Sequence, residues 1–561
     1  MPYNMAALAT HGLPATFLSG VPPVKAECLP FSQVPHTAPL FTDFLSYAPR
    51  VQPFYPRSPR FADWVRDEAR QLRYDDVRRA SVASILERQN RAWGASEKTL
   101  ANIARLRNGA FAAITGQQVG LFGGPVFSIF KALTAVKLAE HASSAGVDAV
   151  PVFWLATEDH DLAEINHVSL LGPRFSLSRL QTASHGAPDA QVGTIHFGHE
   201  IEPVVRSAAE LLGDSEAIAL LRDSYRVGES FGGAFARLFS RWFADWGVIL
   251  LDPADPEFHA IAAPVFRAAV EHSAELDRAL LARGRELEAA GYHQQVKVTA
   301  SSTLLFVQRN GTRTALHRRS NGSSGEYIVG EDKISQAELL RRLDTAPQEF
   351  SANVLLRPVM QDYLLPTLAY TGGPAEVAYF AQCAVVYEQL LGRITPVIPR
   401  FSATLIEAKL ASILDRYHLG LTDLFHGLDP LRERLATHNL PQDVQSAFDQ
   451  AESALRQSLT GIRDSLARLD STLVDAASRA ASKMHYQINR LRARAGRAEL
   501  QRSEILSRHA ELLINTLFPN HAPQEREIGA LYFMARYGPD LLHTLYDSLH
   551  PECLEHQVIR L

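Results

Sequence analysis

The chain has few cysteines. It contains three among 561 residues, Cys28, Cys383 and Cys553, and no two of them form a CxxC pair. Thiolate zinc sites need closely spaced cysteines, and disulfide-built domains need a higher density of them. The sequence therefore predicts neither a thiolate metal site nor a disulfide framework.

Long apolar segments and a strong net charge are also lacking. No apolar run approaches the roughly 20 residues of a membrane span, and Met1 to Pro30 lacks the basic start and apolar stretch of a signal peptide. The formal net charge of -5 argues against a nucleic-acid-binding surface spread over the whole protein. We therefore expect a cytoplasmic protein with no membrane and no nucleic-acid partner.

Two glycine-rich segments share one design, which is neither a Walker A loop nor GxGxxG. Each has an apolar run, then Thr-Gly, then Gly-Gly-Pro and a helical pattern; they span 113–125 and 368–376. The pattern predicts a buried strand leading into a helix N-terminus, whose unpaired N–H groups and dipole favour an anion. Glycines there would let the backbone approach a phosphorylated or carboxylated ligand closely.

These two corners supply most of the candidate substrate-binding residues. They are Thr115, Gly116, Gln117, Gln118, Gly123, Gly124, Gly372, Gly373 and Glu376. The alternative is two tight turns of an α/β fold, with Glu376 serving only to compensate its helix dipole.

A third corner is acidic. The apolar run that ends at residue 155 is followed by Thr157 to Asp161, at the edge where open α/β sheets bind ligands. Packed acids raise the pKa of one another and of an adjacent histidine, so Glu158, Asp159 and His160 are candidate catalytic residues. They could bind an ammonium group, hold Mg²⁺ or move a proton; the alternative is a helix N-cap with solvated acids. His160 and His167 are too far apart for a metal site on one helical turn, and we predict no metal.

Arginine follows two further apolar runs. Arg357 follows 353–356, and its guanidinium suits a carboxylate or a phosphate. We assign Arg357 and the nearby Gln361 to substrate binding, and Arg400, which follows 395–398, to nucleotide binding. Arg357 could instead pair with a structural acid.

Buried-strand patterns alternate with helical patterns, which predicts a doubly wound α/β core. The strand patterns lie at 111–115, 150–157, 247–252, 354–357, 367–371 and 395–398. The intervening segments read as insertions, with a hairpin at 192–197 in the first and strands at 304–307 and 312–317 in the second. The predicted divisions are an N-terminal arm (1–60), a first core part (61–161), insertion module 1 (162–245), a core strand (246–255), insertion module 2 (256–350), a second core part (351–407), a helical segment (408–521) and a C-terminal segment packed on the core (522–561).

The helical segment carries a heptad seam. No proline interrupts 442–518, and apolar residues recur at steps of four and three: Leu455, Leu459, Ile462, Leu466, Leu469, Leu473, Ala476 and Ala480. This spacing predicts a coiled coil, and an unbroken helix of ~75 residues would be about 110 Å long. A long helix packed on its own domain is the alternative. Within the basic stretch 483–502, Arg490 and Arg494 are candidate nucleotide-binding residues, unless they form a solvated face.

Four of these segments together resemble the BshC family, the cysteine ligases of bacillithiol biosynthesis. They are 115–125, 151–161, 353–361 and 370–376, and the ending 556–559 is also similar. The resemblance implies a Rossmann-like core related to class I aminoacyl-tRNA synthetases, with connecting-peptide modules and a C-terminal α-helical coiled coil that forms a homodimer. It also implies a reaction, the joining of the cysteine carboxyl to the amine of glucosaminyl-malate.

Activation of the carboxyl is the point where the sequence departs from class I synthetases. Their adenylate-forming His-x-Gly-His box would lie at the first corner, which holds Gln117 and Gln118 instead. An amide does not form from a free carboxylate and an amine in water, so ATP or another nucleotide is expected on chemical grounds. The alternatives are a nucleotidyl- or glycosyl-transferring enzyme on the same fold, or a non-catalytic coiled-coil scaffold.

Overall fold

The computed structural model describes residues 26–184, 186–187, 189–309, 311–319, 325–550 and 553–561. The strands are β1 (Ala26–Leu29), β2 (Phe111–Gln117), β3 (Ala149–Leu155), β4 (His167–Leu171), β5 (Leu177–Gln181), β6 (Ile249–Leu251), β7 (Ser302–Arg309), β8 (Thr312–Arg318), β9 (Glu326–Val329), β10 (Asp332–Ser335), β11 (Phe350–Ala352), β12 (Thr367–Gly372), β13 (Val397–Pro399), β14 (Ala403–Ile406) and β15 (His556–Arg560). The α-helices are α1 (Pro39–Ser46), α2 (Val65–Gln71), α3 (Asp76–Ala92), α4 (Glu97–Arg107), α5 (Phe127–Ser144), α6 (Leu162–Ile165), α7 (Ile201–Leu212), α8 (Glu216–Ser224), α9 (Phe231–Trp242), α10 (Pro256–Glu271), α11 (Ser273–Ala289), α12 (Gln336–Thr345), α13 (Arg357–Leu364), α14 (Pro374–Leu391), α15 (Ala408–Arg416), α16 (Leu428–His438), α17 (Gln442–Leu469), α18 (Leu473–Arg502), α19 (Glu504–Leu517), α20 (Gln524–Glu527), α21 (Ala530–Tyr537) and α22 (Asp540–Ser548).

The central sheet has the strand order β13-β12-β2-β3-β6, and all its pairs are parallel. The chain runs outward from β2 through β3 to β6 and then returns to build β12 and β13 on the other side of β2. This order confirms the doubly wound, Rossmann-like prediction. It places the switch point between β2 and β12, where ligands bind in such sheets.

Both faces of this sheet are covered, which is why its strands read as apolar runs. All seven residues of β3 are buried. Phe153 and Leu155 belong to the core cluster that includes α5 and α9, whereas Val152 and Trp154 belong to the cluster that includes α10, α13 and α14. Side chains that alternate along one strand thus face two separate layers of helices.

Two insertions separate the strands of the core. Between β3 and β6 lie α6 to α9 and the antiparallel pair β4–β5, and between β6 and β12 lies an antiparallel sheet of order β10-β9-β8-β7-β11. The strands predicted at 304–307 and 312–317 are confirmed as β7 and β8. The hairpin predicted at 192–197 is wrong. Val192 and Gly193 donate their N–H groups to the carbonyls of Asp159 and Thr157 (2.7 and 2.9 Å), which holds this segment in a short 3-10 turn against the acidic corner.

The strand predicted at 354–357 is also wrong. The side chain of Asn353 accepts the N–H groups of Leu355 and Leu356, both at 3.0 Å, and closes a turn before α13. Pro358 then occupies the first helical turn, where its missing N–H costs nothing. The apolar residues are buried as predicted, but as a turn leading into a helix.

The heptad segment is two antiparallel helices, α17 and α18, so the unbroken helix of about 75 residues considered above does not form. The chain reverses at Asp470, whose carboxylate accepts the backbone N–H (2.9 Å) and the hydroxyl (2.8 Å) of Thr472. Arg492 of α18 contacts Asp449 of α17 at 2.7 Å, which sets the pairing of the two arms. Short polar side chains form such turns by hydrogen-bonding the backbone locally. The apolar spacing continues across this turn, so the spacing alone does not indicate where the first helix ends.

The ends of the described chain meet in a third sheet, β1-β15-β14. Cys28 lies opposite Gln557 in the β1–β15 pair, and its sulfur forms a disulfide with Cys553. The sequence predicted no disulfide framework, and it gave no sign of this single bond because the two cysteines are 525 residues apart in sequence. Among the described residues, no helix has the length and apolar character needed to cross a membrane.

Gly461 in α17 and Gly496 in α18 test whether α18 packs on α16. A Cβ at Gly496 would lie 2.9 Å from the Thr437 hydroxyl and 3.1 Å from the Thr437 nitrogen in α16, whereas a Cβ at Gly461 would meet nothing within 4 Å. Alanine gains about 1 kcal/mol over glycine inside a helix. We expect Gly461→Ala to raise the Tm of unfolding and Gly496→Ala to lower it. Equal increases in both variants would show that α16 does not pack on α18 at this position.

Candidate active site

A cavity of about 340 Å³ opens at the carboxyl ends of β2, β3 and β12, at the switch point of the sheet. The predicted site residues that line it are Gly116, Gln117, Gln118, Arg357, Gly373, Glu376 and Arg400. Both glycine-rich corners and both arginine-bearing segments therefore contribute to one cavity. The size suits a small polar metabolite.

A buried ion pair joins the two sides of the cavity. Lys131 of α5 lies 2.6 Å from the carboxylate of Glu376 in the first turn of α14. Its ammonium also donates to the Gly116 carbonyl (2.7 Å) and to the Gln117 side-chain oxygen (2.8 Å). With three acceptors, all three donors of the ammonium are satisfied. Lys131 therefore links the end of β2 to the start of α14.

Burial and pairing have opposite effects on the pKa values of Lys131 and Glu376. Burial lowers the pKa of Lys131 to about 8, although the Glu376 carboxylate acts in the other direction. Burial alone would raise the pKa of Glu376, but Lys131, the Tyr370 hydroxyl and the Gly373 N–H hold it below its ordinary value. Both groups are charged at neutral pH, and the pair is fully hydrogen-bonded on the carboxylate side by Gly373 (2.7 Å) and Tyr370.

Arg357 presents a guanidinium to the cavity without a carboxylate of its own. It donates to the Tyr379 hydroxyl at 2.7 Å and to the Gln361 side chain at 3.3 Å. No carboxylate of the described residues lies within 4.0 Å of it; Glu376 acts on it only at longer range. Burial alone would lower the pKa of Arg357, but Tyr379, Tyr370 and Glu376 raise it. Arg357 is thus positioned to bind a ligand anion.

Arg400 lines the cavity but has a structural partner. It forms a two-pronged ion pair with Glu525 (2.7 and 3.0 Å), and both side chains are buried. The neighbouring Arg526 also lines the cavity, and the charged groups around it are Arg400, Glu525 and Glu376. The pairing with Glu525 supports a structural role for Arg400, while Arg526 adds a cation that the sequence did not single out.

The acidic corner reaches the cavity through Gln118. The Gln118 amide donates to Asp159 at 2.8 Å and to Glu164 at 2.7 Å. The other Asp159 oxygen accepts the backbone N–H of His160 at 2.8 Å. Asp159 itself does not line the cavity; it adjoins the cavity through Gln118, with its side chain 34 % exposed.

A residue of the second insertion, Arg313, holds the His160 side chain. Arg313 of β8 approaches His160 Nδ1 at 3.2 Å and donates to the Ala352 carbonyl at 2.7 Å. Because an arginine can only donate, Nδ1 must accept, and the ring hydrogen then resides on Nε2. In this tautomer the imidazole can donate to a ligand from Nε2 but cannot take a proton there.

Glu158 points away from the cavity. Its carboxylate lies 3.0 Å from His259 of α10, and both side chains are buried. Burial lowers the pKa of His259, but Glu158 raises it above its ordinary value overall. This pair ties the second insertion to the core, so the placement of Glu158 supports a structural role rather than the predicted catalytic one.

The first Gly-Gly-Pro corner is a packed turn, not an anion cradle. The Gly123 and Gly124 N–H groups donate to the carbonyls of Gly120 (3.2 Å) and Leu121 (3.0 Å). A Cβ at Gly123, whose φ is +90°, would lie 2.7 Å from the Trp242 ring. The predicted contact between this corner and a ligand is therefore wrong, because its backbone donors are used inside the protein.

The remaining predicted residues lie behind the cavity wall or far from it. Thr115 donates to the Thr371 carbonyl at 2.9 Å, and Gln361 is buried under Arg357. A Cβ at Gly372 would lie 2.6 Å from the Glu376 Cβ, so this glycine makes room for the carboxylate. Residues 490 and 494 lie on α18, which packs on α16, α17 and α19, and neither lines this cavity.

Two family models cover almost the whole chain. The N-terminal Rossmann-like domain of bacillithiol biosynthesis BshC matches residues 24–401, and the C-terminal coiled-coil domain matches residues 403–561. The chain belongs to the BshC family.

Relatives that carry the name cysteine ligase BshC agree with this assignment. The protein of Koribacter versatilis is 51% identical over 95% of this chain and 99% of its own length. Those of Solibacter usitatus and Salinibacter ruber are 38% and 34% identical, over 96% and 93% of this chain and 100% and 96% of their own lengths. The likeness to the BshC family therefore extends over both domains.

Sequence reasoning missed several cavity residues of this BshC-family chain. Lys131 could have been found as one of the two lysines within the apolar run of α5. A His-x-Gly-His sequence, His196 to His199, also went unnoticed; both of its imidazoles are exposed in the first insertion, outside the cavity. Tyr370 and Tyr379 carried no sequence signal, since tyrosines in apolar runs are ordinary core residues.

The charges of the cavity suit an anionic ligand. Four cations line it, Lys131, Arg357, Arg400 and Arg526, against the two carboxylates of Glu376 and Glu164. Only Lys131 and Arg400 have carboxylate partners within 4.0 Å among these cations in the described structure. No set of three or more His, Cys, Asp or Glu side chains in the described residues is arranged to hold a metal ion.

Proposed function

We propose that the protein is a cysteine ligase that joins the cysteine carboxyl to the amine of glucosaminyl-malate in bacillithiol biosynthesis. The observation that carries the proposal is the cationic cavity at the switch point of a BshC-family fold. The names of the relatives favour this reaction over a nucleotidyl or glycosyl transfer and over a non-catalytic scaffold.

The malate part of the acceptor supplies the anion that this cavity would bind. Arg357 and Arg526 each lack a carboxylate within 4.0 Å in the described part of the chain, and a guanidinium binds a carboxylate in a two-pronged manner. Bound this way, the amino sugar would extend toward Gln118, whose amide donates to Asp159.

Amide formation requires activation of the cysteine carboxyl and removal of a proton from the amine. ATP or another nucleotide would supply the activation, and the arginines of the cavity suit its phosphates as well as carboxylates. The amine nitrogen attacks the activated carbonyl carbon, the C–N bond forms, and the bond from that carbon to the activated oxygen breaks. Asp159 accepts the proton lost from the amine, while His160 donates from Nε2 to an oxygen of the substrate.

Asp159→Asn tests the proposed proton acceptor. We expect the rate of product formation from cysteine, glucosaminyl-malate and ATP to fall by ~10²-fold or more, as is typical when an acid–base group is lost. The rate would be followed by thiol labelling and mass spectrometry of the product.

The matched control is Asp161→Asn, which removes an equal charge two residues away. Asp161 caps α6 by accepting the Glu164 N–H at 3.1 Å, so its loss should leave the rate within a few-fold of the unmodified protein. Equal rates in both variants and the unmodified protein would contradict the role of Asp159, and absence of product from the unmodified protein would contradict the ligase itself.

We also propose a homodimer formed through α17 and α18. Of the nine large apolar side chains found exposed in the described residues, five lie on these helices: Ile462, Leu469, Met484, Tyr486 and Leu491. Clustered exposed apolar groups mark an interaction surface. A cytoplasmic location is proposed as well, because ATP and free cysteine are available there.

The dimer is tested by charges on the exposed face of α17. Ile462 and Leu469 are 52% and 78% exposed within one chain, so Ile462→Glu with Leu469→Glu should leave the helices folded and yield monomers in analytical ultracentrifugation. Gln457→Glu, an exposed polar position on the same helix, is the control and should remain dimeric. A dimer that survives the double substitution would place the interface elsewhere.

A further inference from the structure

Two neighbouring glutamines line the cavity, and the structure occupies a different half of each side-chain amide. Gln117 is the last residue of β2, and Gln118 follows it directly. A glutamine amide accepts hydrogen bonds at its carbonyl oxygen and donates them from its NH₂ group. The protein partners of the occupied half therefore determine which half is left for a ligand.

Lys131 fixes the amide of Gln117. The ammonium lies 2.8 Å from the Gln117 side-chain oxygen. Because an ammonium can only donate, the amide atom that faces it must be the carbonyl oxygen. The Gln117 Nε2 then points elsewhere, and it has no acceptor among the described residues. Gln117 therefore leaves a donor for a ligand.

Two carboxylates fix the amide of Gln118 in the opposite sense. The Gln118 Nε2 donates to Asp159 at 2.8 Å and to Glu164 at 2.7 Å. Ionised carboxylates only accept, so both N–H groups are used, and a flipped amide would place oxygen against oxygen. The Gln118 Oε1 has no donor in the described part of the chain. Gln118 therefore leaves an acceptor for a ligand.

Both free atoms reach open space. The side chains of Gln117 and Gln118 are half-buried, and neither Gln117 Nε2 nor Gln118 Oε1 is among the sealed side-chain atoms that lack a partner in the described structure. Since both residues line the cavity, a ligand there can contact the donor of one glutamine and the acceptor of the next.

A donor beside an acceptor is the complement of the two groups that react in amide formation. The carbonyl oxygen of the activated carboxyl accepts hydrogen bonds, and the attacking amine donates them. During the attack the carbonyl double bond opens and its oxygen gains negative charge, which a preorganised N–H donor stabilises. The product amide keeps one C=O and one N–H, so the same pair of side chains also fits the product.

We propose that Gln117 donates from Nε2 to the carbonyl oxygen of the cysteine carboxyl group under attack, and that Gln118 accepts at Oε1 from the amine of glucosaminyl-malate. This inference rests on the proposed function, because it assigns two catalytic residues to that reaction. Lys131 and Glu164 are then positioning residues, which hold the two amides in opposite orientations.

Gln117→Glu tests the donor in the full-length protein. The variant keeps an oxygen for Lys131 and replaces the NH₂ group by a second oxygen of similar size. In isothermal titration, we expect the Kd of the amide product, cysteinyl-glucosaminyl-malate, to rise about 10-fold or more, as for an acceptor left without its hydrogen bond. The Kd of glucosaminyl-malate, which lacks the cysteine carbonyl, should stay unchanged.

The comparison of these two ligands separates the hydrogen bond from the added charge. Each ligand carries two carboxylates and one amine, so a general electrostatic effect of Gln117→Glu would change both Kd values equally. Gln117→Leu, which removes the donor without adding a charge, should give the same selective loss and serves if Gln117→Glu does not fold. Equal changes for both ligands, or no change for either, would overturn the role of Gln117.

Gln118→Met tests the acceptor by steady-state kinetics. We expect the KM for glucosaminyl-malate to rise about 10-fold, as for the loss of a hydrogen bond to a charged amine, while the KM for cysteine stays unchanged. Gln181→Met, at an exposed glutamine of β5, is the matched control and should change neither KM. Equal increases for both substrates, or an unchanged KM for glucosaminyl-malate, would overturn the role of Gln118.

Turnover distinguishes this inference from the ligase itself. Gln117→Glu should lower kcat by ~10²-fold or more, as is typical when one donor to a developing oxyanion is lost, with unchanged KM values. If the unmodified protein forms product and Gln117→Glu does so at the same kcat, this inference alone is overturned. If the unmodified protein forms no product and binds neither ligand, the proposed function is overturned together with it.

Discussion

The ion pair between Lys131 and Glu376 is the contact on which the architecture of the cavity depends. It spans the switch point, where β2 and β12 diverge into helices on different sides of the sheet. Through the Gly116 carbonyl and the Gln117 side chain, the same ammonium fixes the end of β2. Through Glu376, it fixes the Gly373 N–H and the Tyr370 hydroxyl at the start of α14. One buried cation thus sets the distance between the two walls.

This arrangement leaves other positive charges for the ligand. Glu376 neutralises Lys131 and Glu525 neutralises Arg400, both at 2.6–2.7 Å. Arg357 and Arg526 have no such partner among the described residues, so the field at the cavity is positive where these two guanidinium groups lie. The internal pairs hold the walls in place, and the unpaired arginines give the cavity its preference for anions.

Much of the core could be predicted from sequence, because parallel strands buried on both faces read as apolar runs and glycines mark the corners that follow them. The corner at Gly373 and the guanidinium of Arg357 were located in this way. The role of Gly123 could not be, since only the fold reveals that Trp242 occupies the space beside it. The Cys28–Cys553 disulfide likewise depends on a contact between distant segments. The reversal at Asp470 is a local polar turn, which the apolar periodicity does not report.

The central claim, that Lys131 and Glu376 stabilise the site as a pair, is tested most directly by a double-mutant cycle measured as the free energy of unfolding in urea. Lys131→Met leaves a buried carboxylate unpaired and should cost about 3–5 kcal/mol, as is typical for breaking one side of a buried pair. Adding Glu376→Gln removes the stranded charge, so the double variant should recover part of that loss. Single losses that simply add, with no recovery in the double variant, would contradict the account.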